Sequence, residues 1–440
     1  MIANRIITVV LCLAATSATA ANVQNQDEEL DIIVRADKIP VPPTIISQDN
    51  YLQVIGKKAG EVKVPSYAVK EVIYANRDAN YSAALEKRDE GRYRLAALYF
   101  RKALENMSAQ KWAAEYCNYG IGDALYQSGD FKGYKGKSGT EYAPPSQYFQ
   151  KVLAANPKSR FLPDILVKLP VCLAEEDKLD EAEAKLKEAE TRIKAYRDET
   201  IKVHTGFGEI ADRATAQLAI ADARLAKRKA KDGKAKWDEV RDKWSAARSK
   251  CLKFPEPLAE AVDGVLEALL MMKDYNGAQA EAESVISRYK TEGDTKLLPM
   301  LPGAYTALGK AHLAQAVEFK GRGAQIPSRT KFSEARWAFL HVVGQFFDND
   351  EYVAGAHYFA GICCDDLREV ESDAGERAIR HWKLIVRNFP KSDYRAPAEK
   401  ELARVGTAAP AAQPQPPAEA KAEPKAEPKP EPKPAPKAKK

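Results

Sequence analysis

Three patterns of apolar spacing follow one another along the chain. Residues 6–15 (IITVVLCLAA) are an unbroken apolar run. Between 29 and 75 the apolar residues come in short β-branched or aromatic runs: Ile32-Ile33-Val34, Thr44-Ile45-Ile46, Tyr51 through Ile55, Val62-Lys63-Val64 and Val69 through Tyr74. Pro40, Pro42-Pro43, Asp49-Asn50 and Pro65-Ser66 punctuate them. Short runs between turn signals predict a small antiparallel sheet or barrel, with Lys57-Lys58-Ala59-Gly60 as a hairpin loop. An irregular extension packed on the first helices is the competing reading. From Arg77 to about Val405 the apolar residues recur at helical spacing, and Pro and Gly stand between the stretches. That spacing predicts helices joined by short turns.

Within the helical stretch one phrase recurs. An aromatic or large apolar residue is followed by a small one at +3, a large one at +7 and a small or apolar one at +10. Tyr93, Ala96, Phe100 and Ala103 carry it, as do Leu179, Ala182, Leu186 and Ala189. Tyr275, Ala278, Ala282 and Val285 repeat it with a small residue at the third place. Phe332, Ala335, Phe339 and Val342 fit it fully. Trp237, Val240, Trp244 and Ala247 are a looser copy, and Phe149, Val152 and Pro157 keep only its end. Ala378, Trp382 and Ile385 close on Pro390.

The phrase resembles the tetratricopeptide repeat. In that motif a turn glycine precedes an aromatic, then alanine, an aromatic, alanine and a closing proline. Gly91 before Tyr93, and Gly129 before Phe131, match the turn; Gly122 and Gly309 match the small residue inside the first helix of a repeat. Asp177 and Lys273 stand where the turn glycine is expected, and the spacing departs from 34. Residues 132–145 and about 317–330 read as insertions. The resemblance implies a mainly α, right-handed superhelical array of helix pairs, an α-solenoid, over residues 77–406. About seven pairs are expected, near 79–106, 111–155, 162–195, 207–252, 257–290, 303–347 and 352–389, with a closing helix at 396–405. No single pair buries its apolar face, so neighbours must stack. A helical bundle without repeats is the competing reading. Residues 21–76 resemble the small SH3-like β modules that precede such repeats in exported bacterial proteins. Asn156-Pro157-Lys158-Ser159 and Phe389-Pro390-Lys391-Ser392 resemble a phrase in repeats of the outer-membrane assembly lipoprotein and the Tol-Pal division coordinator.

The two ends read as address and tail. Ala18-Thr19-Ala20 after the apolar run is the small-x-small pattern of a signal peptide cleaved after residue 20. Ten apolar residues are too few to span a bilayer, which takes roughly 20, so no transmembrane segment is expected in the mature chain. Leu11 before Cys12 does not fit a lipobox. Residues 408–440 hold ten Pro, seven Lys and four Glu, with no aromatic, Ile, Leu or Val. That composition predicts a disordered, polyproline-II-rich segment over 407–440, a solvated tail or a tether to peptidoglycan or an anionic surface.

Composition adds little until the charge is placed. The chain has 440 residues, 30% of them charged, and a net charge of +6. The tail contributes +3 and Arg5 another +1, so about +2 remains for the rest. A nearly neutral body, with basic runs interleaved by Ala and Asp, is no nucleic-acid surface. None of the five His lies in HExxH or a Cys/His cluster, and no phosphate-binding glycine loop or GxSxG occurs. Glu175-Glu176-Asp177 and Asp365-Asp366 read as solvated helix ends. Cys117, Cys172, Cys251, Cys363 and Cys364 read as buried hydrophobes; no metal, cofactor or catalytic group is expected.

These readings converge on an exported, non-catalytic scaffold, periplasmic or envelope-associated, that grips a protein or peptide on an extended surface. Tyr116, Asn118, Tyr119, Tyr305 and Lys310 are the candidate lining residues. The alternative is an envelope spacer tethered by its tail.

Overall fold

A computed structural model describes residues 30–57, 60–136, 139–291 and 299–406. The expected signal peptide and Pro/Lys tail lie outside the described residues. The chain divides after Ala214 into two compact units.

The first unit opens with five strands, β1 (Ile32–Arg35), β2 (Ile46–Asp49), β3 (Gln53–Gly56), β4 (Val62–Pro65) and β5 (Val69–Ile73). They form two small sheets instead of one. β1 pairs antiparallel with β5, and β2, β3 and β4 form a meander. Between β1 and β2 only a single bridge joins Asp31 to Thr44; Pro40, Pro42 and Pro43 in that connection have no amide to donate to a longer ladder. Ile33, Val54, Val64 and Val72 are buried with Tyr81, Phe100 and Ile121 in one core, so the strands are not an irregular extension.

Helices follow: α1 (Ala79–Asp89), α2 (Tyr93–Asn106), α3 (Lys111–Gln127), α4 (Pro145–Ala155), α5 (Leu162–Glu175) and α6 (Leu179–Thr200). Between α3 and α4 a two-stranded hairpin, β6 (Tyr134–Lys135) with β7 (Glu141–Tyr142), occupies the expected insertion. α7 (Phe207–Lys231) runs across the division between the units. The second unit continues with α8 (Trp237–Cys251), α9 (Pro255–Met271), α10 (Tyr275–Thr291), α11 (Met300–Gly321), α12 (Gln325–Gln345), α13 (Asp350–Asp366), α14 (Ala374–Asn388) and α15 (Arg395–Arg404). Consecutive helices pack on each other from α1 to α6 in the first unit and from α8 to α15 in the second, where α9 also packs on α11 and α11 on α13. That second-neighbour contact is what distinguishes a stacked array from a row of separate hairpins. The helices thus form tetratricopeptide-like pairs, the architecture of an α-solenoid, and a small β module precedes them in the first unit. Among the described residues no helix is long and apolar enough to cross a membrane.

The recurring phrase lies on the second helix of each pair, and its +3, +7 and +10 residues are buried: Ala96, Phe100 and Ala103 on α2, Ala182 and Leu186 on α6, Ala278 on α10, Ala378 and Trp382 on α14. The large ring at +7 rests on a glycine of a neighbouring first helix. Phe339 lies against Gly309, where an added Cβ would sit 2.6 Å from the ring; Phe149 does the same at Gly122. The glycine is the hole and the ring is the knob.

The turns keep one backbone whatever residue fills them. Gly91 and Gly129 adopt φ of 72° and 74°, and Asp177 and Lys273 adopt 64° and 61°. At each of the four, the next residue donates its amide back to a carbonyl five residues earlier, as Asp274 does to Leu269 at 3.0 Å and Arg92 to Lys87 at 2.8 Å. This is the Schellman closure, and it demands the left-handed region. A non-glycine residue there is strained by its Cβ. Lys273→Gly is therefore expected to raise stability by about 0.5–1 kcal/mol in denaturant unfolding; a loss would contradict the strain.

The stretch 317–330 is not an insertion. α11 runs to Gly321, the turn is closed by Gly323 at φ 74°, and α12 starts at Gln325. The extra turns stay helical because they pack on each other, with the Ser328 hydroxyl donating to the Ala316 carbonyl at 2.9 Å.

Candidate functional site

Two features of the second unit stand out: a cavity beside α11 and an apolar stripe on α12. The cavity has a volume of about 590 Å³. Thr306 and Lys310 line it from α11, one helical turn apart. Asp350, Tyr352 and Gly355 come from the start of α13, Asn388 from the end of α14, and Phe389, Lys391, Asp393 and Tyr394 from the connection between α14 and α15. Pro390, which ends the α14 phrase, lies in the same wall. Gly355 is where Tyr394 closes on α13; a Cβ there would meet that ring at 2.9 Å.

The polar groups of the floor are incompletely matched. Thr306 is only 9% exposed, and its Oγ1 finds no hydrogen-bond partner among the described residues. Lys310 lies over the Phe359 ring at 5.3 Å. Burial pushes its ammonium pKa down, and the charges of Glu267 and Asp263 draw it partly back up. Asp263 accepts from the Tyr352 hydroxyl.

The stripe lies on the opposite kind of surface. Trp337 is 64% exposed and Leu340 39%, on one face of α12, and Phe347 follows just past its end at 69%. The Trp337 ring is held against His341 (5.3 Å between centroids), which in turn packs on Tyr305 at 4.1 Å. A large aromatic is thus presented to solvent from a fixed support.

The sequence candidates fall in different places. Lys310 lines the cavity. Tyr305, one residue before Thr306, is buried and supports His341 instead. In the first unit Tyr116 is buried, and its hydroxyl donates to Asp49 of β2, which also accepts from Tyr74 at 3.1 Å. Burial raises the pKa of Asp49, opposed by Arg160 and these hydroxyls. Tyr119 is stacked flat on Phe161 at 3.9 Å and donates to Asp164 at 2.8 Å. Asn118 donates to the Ala114 carbonyl of its own helix at 2.6 Å. Thr306, Tyr352, Phe389 and Tyr394 escaped sequence reasoning. They converge from α11, α13 and the connection between α14 and α15, and the one local cue is the spacing of Thr306 and Lys310.

The cysteines are inert by burial. All five in the described residues are unpaired and buried, and loss of solvent raises every thiol pKa, that of Cys251 to about 11. No group of three or more His, Cys, Asp or Glu among the described residues is placed to hold a metal ion.

No family model matches the chain. No curated protein matches it either. Among solved structures it is similar to the human IFIT1 dimer with PPP-AAAA, at 16% identity over 72% of this chain and 60% of that one, with a TM-score of 0.34. It is similar to the assembly chaperone of RpL4 (Acl4, residues 1–338), at 13% identity over 67% of this chain and 98% of that one, TM-score 0.40. The P58(IPK) TPR domain matches at 14% identity over 74% and 97%, TM-score 0.19. Overlaps this loose carry no argument. The helix-pair packing within each unit defines the fold class: an α-solenoid of tetratricopeptide-like helix pairs.

Proposed function

We propose that the chain is a non-catalytic scaffold that holds a protein partner on the α12 surface of its second unit. The observation that carries this is the Trp337 ring, 64% exposed yet braced on His341, with Leu340 beside it. Exposed apolar side chains grouped in one patch, unlike ones scattered singly, mark interaction surfaces. Trp is also the residue most enriched at binding hot spots, where a pre-set ring loses little entropy on docking. The proposal includes export to the cell envelope. Its support is the apolar run at 6–15 followed by Ala18-Thr19-Ala20.

Cross-linking in intact cells, followed by mass spectrometry, tests the surface. A Trp337→Ala/Leu340→Ala variant is expected to lose the wild-type partner at least tenfold while its melting temperature stays near that of the parent. Equal recovery from the two would overturn the assignment. Fractionation of the same cells tests export: protein retained with an intact N-terminus in the cytoplasm counts against it.

A further inference from the structure

The cavity beside α11 has a chemistry of its own, independent of the α12 surface. Its floor offers a hydroxyl and an ammonium that the fold leaves unmatched. Thr306 Oγ1 is buried without a hydrogen-bond partner, and Lys310 makes no ion pair within 4.0 Å among the described residues. Both departures are unusual: buried polar groups are normally satisfied, and the half-buried Lys310 ammonium has the Phe359 ring beside it in place of a carboxylate. Three other partly buried cations of this unit are matched: Lys227 pairs with Glu267, Arg248 with Glu281 and Arg336 with Glu371. The walls are aromatic, formed by Tyr352, Phe389 and Tyr394. A volume near 590 Å³ is within the range that holds a small ligand.

We propose that this cavity binds a carboxylate carried on an aromatic or apolar body, with the carboxylate at Lys310 and Thr306 and the body between Tyr352, Phe389 and Tyr394. One carboxylate oxygen takes the charge-assisted hydrogen bond from Lys310 Nζ, and Thr306 Oγ1 donates to the same group. Asp350 and Asp393 at the wall outnumber Lys391 and disfavour a second negative charge, so the ligand is a monocarboxylate. Such a carboxylate occurs on a free organic acid and on an acidic side chain of a peptide segment. The site recognises the shared chemistry.

Calorimetric titration of the full chain tests this with two probe pairs. The first is 3-phenylpropionate against 3-phenylpropionamide, and the second is acetyl-Phe-Glu-Phe-amide against its Gln counterpart. At least one acid is expected to bind saturably, at least tenfold more tightly than its amide. Whether the free acid or the peptide does so identifies the source. Lys310→Met is expected to weaken that binding at least tenfold, Thr306→Val about threefold, and Lys310→Arg to keep most of it. Lys310→Arg also serves as the reading if the Met variant fails to fold, since it preserves the charge. Equal binding of acid and amide, saturable binding by neither acid, or undiminished binding by a folded Lys310→Met protein would overturn the proposal. Loss of the α12 partner through Trp337→Ala/Leu340→Ala leaves this titration unchanged, so the two ideas fail separately.

Discussion

Gly264→Ala is expected to destabilise the second unit by about 3 kcal/mol, although alanine is the better helix former. The Trp244 indole of α8 lies on this glycine of α9, and an added Cβ would fall 2.2 Å from its ring. Trp244 is itself buried, in the core that also holds Val240, Ala261, Leu266 and Ala278. The ring has no empty space to move into, so the helices must part or the indole must leave its rotamer. Gly344→Ala on α12 makes the control. Nothing lies within 4 Å of a Cβ there, so the change is expected to raise stability by about 0.5–1 kcal/mol through helix propensity alone. Denaturant unfolding of both variants, with equal m-values, checks the pair. Effects of the same sign would show that knob-in-hole contact does not set the helix spacing.

Acidification is expected to weaken the α13–α14 contact through a pair of histidines. His357 Nδ1 and His381 Nδ1 are 2.8 Å apart, which requires one ring to donate and the other to accept. Two protonated rings would both be donors. Burial, then His357, then Arg380, Arg377 and Arg336, push the His381 pKa down to about 4, and burial lowers that of His357. Two of these arginines, Arg336 and Arg377, donate to Glu371. The folded state therefore binds fewer protons than the unfolded chain, whose histidines titrate near 6.5. The stability is fully present above that value and is lost as pH falls from 6.5 toward 4. For His381 alone the loss is on the order of 3 kcal/mol, from about 1.4 kcal/mol per pKa unit. Melting of the wild type and of His381→Gln at pH 7.5, 6, 5 and 4.5 isolates this contribution from the carboxylates. The gap between the two should shift in favour of the variant as pH falls. A gap that stays constant would remove the pair as the cause.

Much of the array was legible beforehand. The phrase in which Ala335 precedes Phe339, or Ala378 precedes Trp382, recurs because each second helix must present a small and then a large residue to its neighbours. The same packing explains why Asp177 and Lys273 could replace the turn glycine without changing the turn: the closure geometry is fixed by the helices on either side. The misreading of 317–330 has a matching cause. Chain length between two phrases does not say whether extra residues form a loop or two longer helices, and only the Ser328–Ala316 bond and its surroundings decide it.

The candidate site was less legible. Lys310 is a candidate on position and polarity alone, and its significance depends on what it lacks among the described residues, an acidic partner within 4.0 Å. Tyr116 and Tyr119 have the same local look as Tyr352, yet they lie among Asp49, Phe161 and Asp164. The histidine pair was invisible, since His357 and His381 are 24 residues apart on different helices.

By itself the sequence determined the helical phrase, the order of a β segment before helix pairs, and the near-neutral charge of the body. These are set by covalent periodicity and composition, which any chain of this pattern carries. Tertiary structure alone decided which glycine receives which ring, which tyrosines are used up in the core, and which Lys and Thr remain unmatched beside a cavity. Those outcomes depend on side chains from distant segments competing for the same space and the same hydrogen bonds, and no local pattern records who wins.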